Sequence, residues 1–467
     1  MGKRVDASDI SGNKTLGLID LGEQTISLFN FCIKLKNIMD SREPQTAAYY
    51  AEYESKLNFI LAKMQYDGLG VDTNKLEAKK KEHQTKKATA IKNLTGLLNR
   101  PFNEDDLKAA NIKSLLIEKL GLIPAQDKAD KSSFLDHIKK NNGHSDSVLS
   151  NFTDYLTSVQ RIIDIEKILK CADGDRIHPT FNHINTKTFR ISAKDPNVQG
   201  FAKNEVREGI VAKKDNYKVS IDYSQFELKI LAELSQDPVL INAFQKGIDI
   251  HKETASKIFE VPYEEVTEKQ RKDAKAINFG LIYGKEAFSL AHDLGVTQPE
   301  AQAKIDLYFE KFPTIKRFLD KLVENAKRDG SVRTITGRRI SIENINLDKK
   351  TDWLLVNQAE RQAKNAPMQG SAADIIKKAM VKVYELIMAK YPNVIMTNQI
   401  HDELLFDVPK DVLPNFCVDA KNIMENIVTL SVPLSVDVEV GHNWWKQKLI
   451  DMSKYEAVRK AEPEPVI

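Results

Sequence analysis

Near its C-terminal end the chain carries two apolar runs, Asn393–Gln399 and Leu404–Val408, parted by little more than His401-Asp402-Glu403. Short apolar runs bounded by polar turn residues read as strands, and so tight a break makes them a hairpin with its acids at the tip. A second strand signal lies far upstream. In KVSIDYSQFELKILAEL (Lys218–Leu234) a short β-branched stretch ends at Asp222 and runs into a helix that holds Glu227. Phe181–Asn185, after the turn signal Asp173-Gly174-Asp175, also reads as a strand. The flanking sequence is helical by period. Tyr53, Leu57, Ile60, Leu61 and Met64 recur at helical spacing until Asp67-Gly68-Leu69-Gly70 breaks the run. A Lys/Glu/Ala-rich helix begins near Thr73, and Asn151–Leu169 returns to helical spacing. The class is therefore α+β, a small sheet carrying acids among large helical elements.

Those acids have two readings. An isolated Asp before a helix is most often a cap, and acids at a turn are most often turn formers. If the two strands are neighbours in one sheet, however, Asp222, the backbone carbonyl of Tyr223 and Asp402 form a set of oxygen ligands for hard cations. Two carboxylates could then bridge two Mg²⁺ ions roughly 3.5–4 Å apart, the arrangement for in-line phosphoryl displacement. One ion would lower the pKa of an attacking hydroxyl, and the other would hold a triphosphate and its leaving oxygen.

A third pattern complements the acids. In TEKQRKDAKAINFGLIYGKE (Thr267–Glu286) Thr267 and Gln270 have capping-box spacing and Gly284 is a helix stop. Arg271, Lys275 and Phe279 recur every four residues on one face, with Tyr283 one step further round. An amphipathic helix with a charged start accounts for the spacing. It does not account for two cations continued by two aromatics, which suit a nucleoside triphosphate with phosphates on Arg and Lys and the base on Phe.

Composition sets the bounds. A chain of 467 residues suits roughly two to four subdomains. Its 42% hydrophobic and 29% charged content is that of a globular protein, and no apolar run is long enough for a bilayer. With no apolar leader at MGKRVDASDI, an intracellular location, cytoplasm or nucleoid, is expected. Cys32, Cys171 and Cys417 lack zinc-ligand spacing and are read as small buried hydrophobes. The net charge of +3 does not by itself mark a nucleic-acid binder. The Lys-rich stretch Lys75–Lys92 and the basic knot Gly337–Ile340 suggest phosphate contact only in company, since a Lys run is more often a solvated face.

The company is there. DYSQFELK, RKDAKAINFGLIYG and QIHDEL, in that order, resemble motifs A, B and C of family A DNA polymerases, the group of bacterial DNA polymerase I. TKTFRISAKDPNVQ (Thr186–Gln199), DIHKETASKIF (Asp249–Phe259), TITGRR (Thr334–Arg339), ERQAKNAPMQGSAADII (Glu360–Ile376) and VPLSVDVEVGHNW (Val432–Trp444) resemble further blocks, and MQYDGLGVD (Met64–Asp72) the start of the thumb. The resemblance spans about residues 48 to 446.

What it implies is a right-hand polymerase fold with an antiparallel-sheet palm and helical fingers and thumb. The thumb would be 53–170, the palm 171–237 and 346–446, and the fingers 238–345, with 1–52 a remnant or adaptor and 447–467 a tail. Asp222 and Asp402 match the metal carboxylates, with the Tyr223 carbonyl as a further ligand, for two Mg²⁺ ions or Mn²⁺ as substitute. Arg271 and Lys275 match the triphosphate clamp, Lys275 also as a proton donor to pyrophosphate, and His251 matches another phosphate contact. Phe279 matches the stacking residue, where Phe implies discrimination against dideoxynucleotides. Glu227 matches the steric gate against a 2′-hydroxyl, Gln225 beside it a nucleotide contact, and Tyr283 the template end of the helix. Arg190, Arg361, Asn365, Gln369, Gln399 and His401 match positions along primer or template, with structural hydrogen bonding the plainer role for Arg361 and Gln369. The partners implied are primer–template DNA and deoxynucleoside triphosphates, for a monomer off the membrane.

Departures from the family pattern fall near the primer. Lys229 stands where Arg is usual, Phe226 replaces an aliphatic residue, Phe189 stands where Gly is common, and Gly200-Phe201-Ala202 replaces Asn-Ile-Pro. Asp20-Leu21-Gly22-Glu23 has the wrong spacing for the Asp-x-Glu pair of a proofreading exonuclease, so none is expected. Two rival readings are a reverse-transcribing or RNA-synthesising enzyme on the same fold and a catalytically inactive nucleic-acid-binding relative.

Overall fold

The computed structural model describes residues 14–99, 101–102, 147–282 and 284–461. Its centre is a five-stranded, wholly antiparallel sheet in the order Lys448–Leu449, Val436–Gly441, Asn216–Tyr223, Glu403–Pro409, Ile395–Ile400. The hairpin expected at residues 393–408 forms its last two strands, and the strand expected at Lys218–Ile221 is the central one, extended by two residues at each end. Val219, Ile221, Leu404, Leu405 and Phe406 are fully buried, so these strands are covered and their register is tightly set.

Helices cover the sheet. The longest, Trp353–Lys390, packs on the helices Phe226–Ser235, Leu413–Glu425 and Ser55–Asp67. Small residues Ala363, Ala366, Gly370, Ala372 and Ala373 let neighbours approach it closely: a Cβ on Gly370 would stand 2.7 Å from Ile340 and Thr334 side-chain atoms. Between Phe226–Ser235 and this helix the described residues make six further α-helices: Pro238–Gln245, Ile250–Phe259, Glu268–Ile282, Ala287–Leu294, Gln298–Lys311 and Pro313–Asp329. Asp237, Asp249 and the Thr297/Glu300 capping box start three of them.

The stretch from Ser55 to Lys170 is mostly helical where it is described, broken by the short strand Leu69–Gly70, which pairs with Arg176–Ile177. Ser55–Asp67 buries Leu57, Ile60, Leu61 and Met64 and stops at Gly68, whose φ of +67° suits glycine. Asp72 caps Thr73–Leu98, which packs along Ser147–Lys170. Lys79, Lys80 and Lys86 of the Lys-rich run pair with Glu208, Glu166 and Glu82.

Several expectations change. Phe181–Asn185 is strand only to Asn182, because the Asn182 side chain accepts bonds from the amides of Ile184 and Asn185 and turns the chain. Cys417 is buried and Cys171 half-buried, but Cys32 is exposed on the helix Lys14–Arg42 rather than buried. Arg338 of the basic knot is buried in ion pairs with Glu54 and Asp374, so it is not a surface phosphate contact. Residues 43–54 are tied to the body: Glu43 pairs with Arg333, and the buried Tyr49 hydroxyl donates to the Asp374 carbonyl at 2.9 Å. No helix among the described residues is long and apolar enough to cross a membrane.

Candidate active site

The sheet register brings the acids together. Asp222, near the end of the central strand, lies opposite Glu403 on one neighbour and Asp437 on the other. The hairpin turns at His401-Asp402, with His401 at φ +53°, and the Asp402 carbonyl accepts a bond from the Tyr223 amide at 3.2 Å. Asp402 therefore sits beside Asp222 although neither is local to the other in sequence.

Burial and like charge act on this pair in one direction. Burial first, then the carboxylates of Asp402 and Glu403, push Asp222 up to about 8; burial also raises Asp402. The buried Oδ1 of Asp222 has no hydrogen-bond partner among protein atoms. Two crowded carboxylates with an uncompensated buried oxygen are the electrostatic counterpart of a divalent cation, and their hard oxygen donors fit Mg²⁺.

Both acids line a cavity of about 630 Å³, shared with Tyr223, Gln225, Glu227, Phe279, Arg190 and His401. Tyr223 is locked below the cavity floor, its ring stacked on Phe226 at 4.3 Å and its hydroxyl donating to the Met424 carbonyl. That stack is the structural use of the unusual Phe226. Lys229, the other departure on this helix, is buried and donates to Ser435 Oγ at 2.6 Å; burial lowers its pKa. Gln225, at φ +54°, begins the helix Phe226–Ser235, and Glu227 on its first turn is ion-paired with Arg190.

The helix Glu268–Ile282 faces the cavity through Phe279, whereas Arg271 and Lys275 lie outside its lining. Arg271 donates to Asp249 at 2.7 Å, the carboxylate that also caps Ile250–Phe259. Lys275 is exposed, with its ammonium 6.0 Å from the Phe279 ring. His251 is buried 5.6 Å from that ring, and the Asn278 amide donates to its Nδ1 at 3.2 Å. Burial, with the Lys275 and Arg271 charges, lowers His251 to about 4, so it is a neutral imidazole with its proton on Nε2. Tyr283 lies outside the described residues; Gly284 beside it packs against Arg361, which pairs with Glu286 at 3.0 Å.

The remaining positions are spread along two elements. Arg361, Asn365 and Gln369 lie on the long helix, and the buried Asn365 Oδ1 has no partner among protein atoms. Gln399 is buried and braces the turn by donating to the His401 carbonyl at 2.7 Å. Gln399, His401 and Arg190 also line an adjoining cavity of about 200 Å³ with Lys377. Two groups escaped the sequence reading. Asp437 lines the main cavity, signalled only by an acid on the outward positions of VDVEV. Trp444 donates to Glu403 at 3.1 Å while the Arg207 guanidinium stacks 3.7 Å over its ring, a link with no local signature.

Residues 73–446 match the family model described as DNA polymerase family A. DNA polymerase I of Bacillus caldotenax is 34% identical over 408 residues, 85% of this chain and 46% of that protein. DNA polymerase I of Lactococcus lactis is 35% identical over 424 residues, 89% and 48% respectively, and the thermostable DNA polymerase I of Thermus aquaticus is 34% identical over 417, 85% and 48%. The chain thus spans about half the length of the curated relatives it matches. Among solved structures, the POL domain of Pol1 from M. smegmatis, in complex with DNA primer-template and dNTP, superposes with a TM-score of 0.77 at 30% identity, covering 85% of this chain and 71% of that one.

Proposed function

The chain belongs to DNA polymerase family A and has its right-hand fold; from that premise we propose that it adds deoxynucleotides to a primer 3′-hydroxyl as a DNA template directs, releasing pyrophosphate. The observation that carries the reading is the register that sets Asp222 beside Asp402 at one cavity facing Phe279. In this reading the palm is 171–237 with 346–446, the fingers 238–345 and the thumb 53–170.

Asp222 and Asp402, with the Tyr223 carbonyl, would hold two Mg²⁺ ions, whose charge lowers a hydroxyl's pKa and offsets that on phosphate oxygens. The chain's own groups do the positioning that dominates phosphoryl transfer. Arg271, steered by Asp249, and the exposed Lys275 take the triphosphate, with Lys275 Nζ holding a proton for the departing pyrophosphate. His251 contributes a neutral Nε2–H to the same phosphates. Phe279 stacks on the nucleotide, Gln225 borders it, and Glu227, held by Arg190, sits under the sugar where a 2′-hydroxyl would go. Tyr283, Arg361, Asn365, Gln369, Gln399 and His401 attend template and primer. These residues include no proofreading activity, since Asp20 and Glu23 lack the spacing of an exonuclease pair.

The test is extension of a labelled primer on a DNA template with the four deoxynucleotides and Mg²⁺. Full-length product is expected, with no shortening of a mismatched primer when nucleotides are withheld. Failure to extend on DNA, or extension on an RNA template alone, would overturn the proposal.

A further inference from the structure

The loop between the paired strands Thr180–Asn182 and Ser192–Lys194 holds Phe189 in the left-handed region, at φ +61°. A side chain at that φ is strained, whereas glycine adopts it freely, and glycine is what the family commonly has here. Such strain persists only where the surroundings hold it. The Phe189 ring lies 3.8 Å from the Arg338 guanidinium carbon and packs on the apolar cluster of Val332, Ile340, Ala363 and Ala366. Arg338 is itself fixed: it donates to Glu54 at 2.5 Å and to Asp374 at 2.7 Å, and Tyr49 covers it at 4.8 Å.

The turn is closed by local bonds as well. The Phe189 amide donates to the Thr186 carbonyl at 3.1 Å, and the Thr186 hydroxyl donates to the Arg190 carbonyl at 2.8 Å. Arg190, the next residue, reaches over the edge of the cavity to the Glu227 carboxylate.

We propose that Phe189 is a positioning residue for sugar selection: stacked on Arg338, it fixes the turn that aims Arg190, and Arg190 fixes the Glu227 carboxylate. The inference rests on the polymerase reading of the cavity. Without the stack the turn has more conformations, Arg190 loses its fixed origin, and Glu227 is no longer held where it excludes a 2′-hydroxyl.

The experiment compares single-nucleotide incorporation of a deoxynucleotide and its ribonucleotide by wild type, Phe189→Ala, Phe189→Gly, Phe189→Tyr and Val332→Ala, with melting temperatures. Phe189→Ala and Phe189→Gly should each lose roughly tenfold in the ratio of kcat/KM values, through a lower KM for the ribonucleotide. Phe189→Tyr keeps the stack and should stay within about twofold of wild type. Val332→Ala trims the same apolar cluster without touching the turn, so it should melt lower with the ratio unchanged. Phe189→Gly relieves the strained φ, so its selectivity falls with less loss of melting temperature than Phe189→Ala. Wild-type discrimination in both Phe189→Ala and Phe189→Gly, or an equal loss in Val332→Ala, would overturn the inference. No primer extension by the wild type would instead overturn the polymerase reading.

Discussion

Glu54 should be worth about 3 kcal/mol to the folded chain, and its replacement by Gln tests that figure directly. Its side chain is 3% exposed, yet it accepts from Arg338 at 2.5 Å, Lys377 at 2.7 Å and His183 at 2.5 Å. Burial alone would raise its pKa, but the His183 bond and the Lys377 and Arg338 charges outweigh burial and lower it from 4.5 to about 2. At about 1.4 kcal/mol per pH unit, that difference stabilises the fold by about 3 kcal/mol at neutral pH. Removing one member of a buried ion pair costs about 3–5 kcal/mol by an independent route, since Lys377 and Arg338 would be left facing each other. For a cooperative unit of about 200 residues, Glu54→Gln should then melt about 6–12 °C below wild type at pH 7. Because the folded pKa is depressed, the contribution is complete above pH 4.5 and is lost as pH falls towards 2. The gap between the two proteins should therefore narrow to about 2 kcal/mol at pH 3.5. Asp374, raised by burial, is common to both proteins and largely cancels. Calorimetry at several pH values is the assay. A gap under about 1 kcal/mol at pH 7, or one that widens in acid, would refute the reasoning.

Asp222→Asn and Asp402→Asn should each abolish primer extension while primer–template affinity stays within roughly threefold in a binding titration, because duplex affinity comes from spread phosphate contacts. In metal-free buffer Asp222→Asn should also melt higher than wild type at pH 8. The raised pKa of Asp222 means its charge costs folding energy that grows as pH rises above its unfolded value, so this gap should shrink on going to pH 5. Glu227→Ala should admit ribonucleotides and Phe279→Tyr dideoxynucleotides, with nearly additive effects in the double variant, read as ratios of incorporation efficiency.

Much of the fold was legible locally. The helices Ser55–Asp67, Thr73–Leu98 and Glu268–Ile282 announce themselves through local signals: apolar residues at helical spacing and the Gly68 stop in the first, a Lys/Glu/Ala-rich run after Asp72 in the second, and the Thr267/Gln270 capping box with Gly284 in the third. The hairpin at His401-Asp402 was legible for the same reason: two apolar runs and a polar break need no distant partner to be recognised. Where a local rule failed, a short polar side chain intervened, as when Asn182 ended its strand early.

The site divides along the same line. The sequence by itself picked out the candidate residues, since Asp222 lies at a strand end, Asp402 tips a hairpin, and Arg271, Lys275 and Phe279 share a helix face by spacing alone. Only the tertiary structure decided that the two acids are neighbours, because strand order and register come from burying distant apolar faces together. The same packing made Arg338 of an exposed-looking basic knot a buried partner of Glu54, and turned His251 into a neutral imidazole. It also set a strained Phe189 where glycine is usual. Burial fixes protonation, pairing and strain, and burial depends on residues far away in the chain.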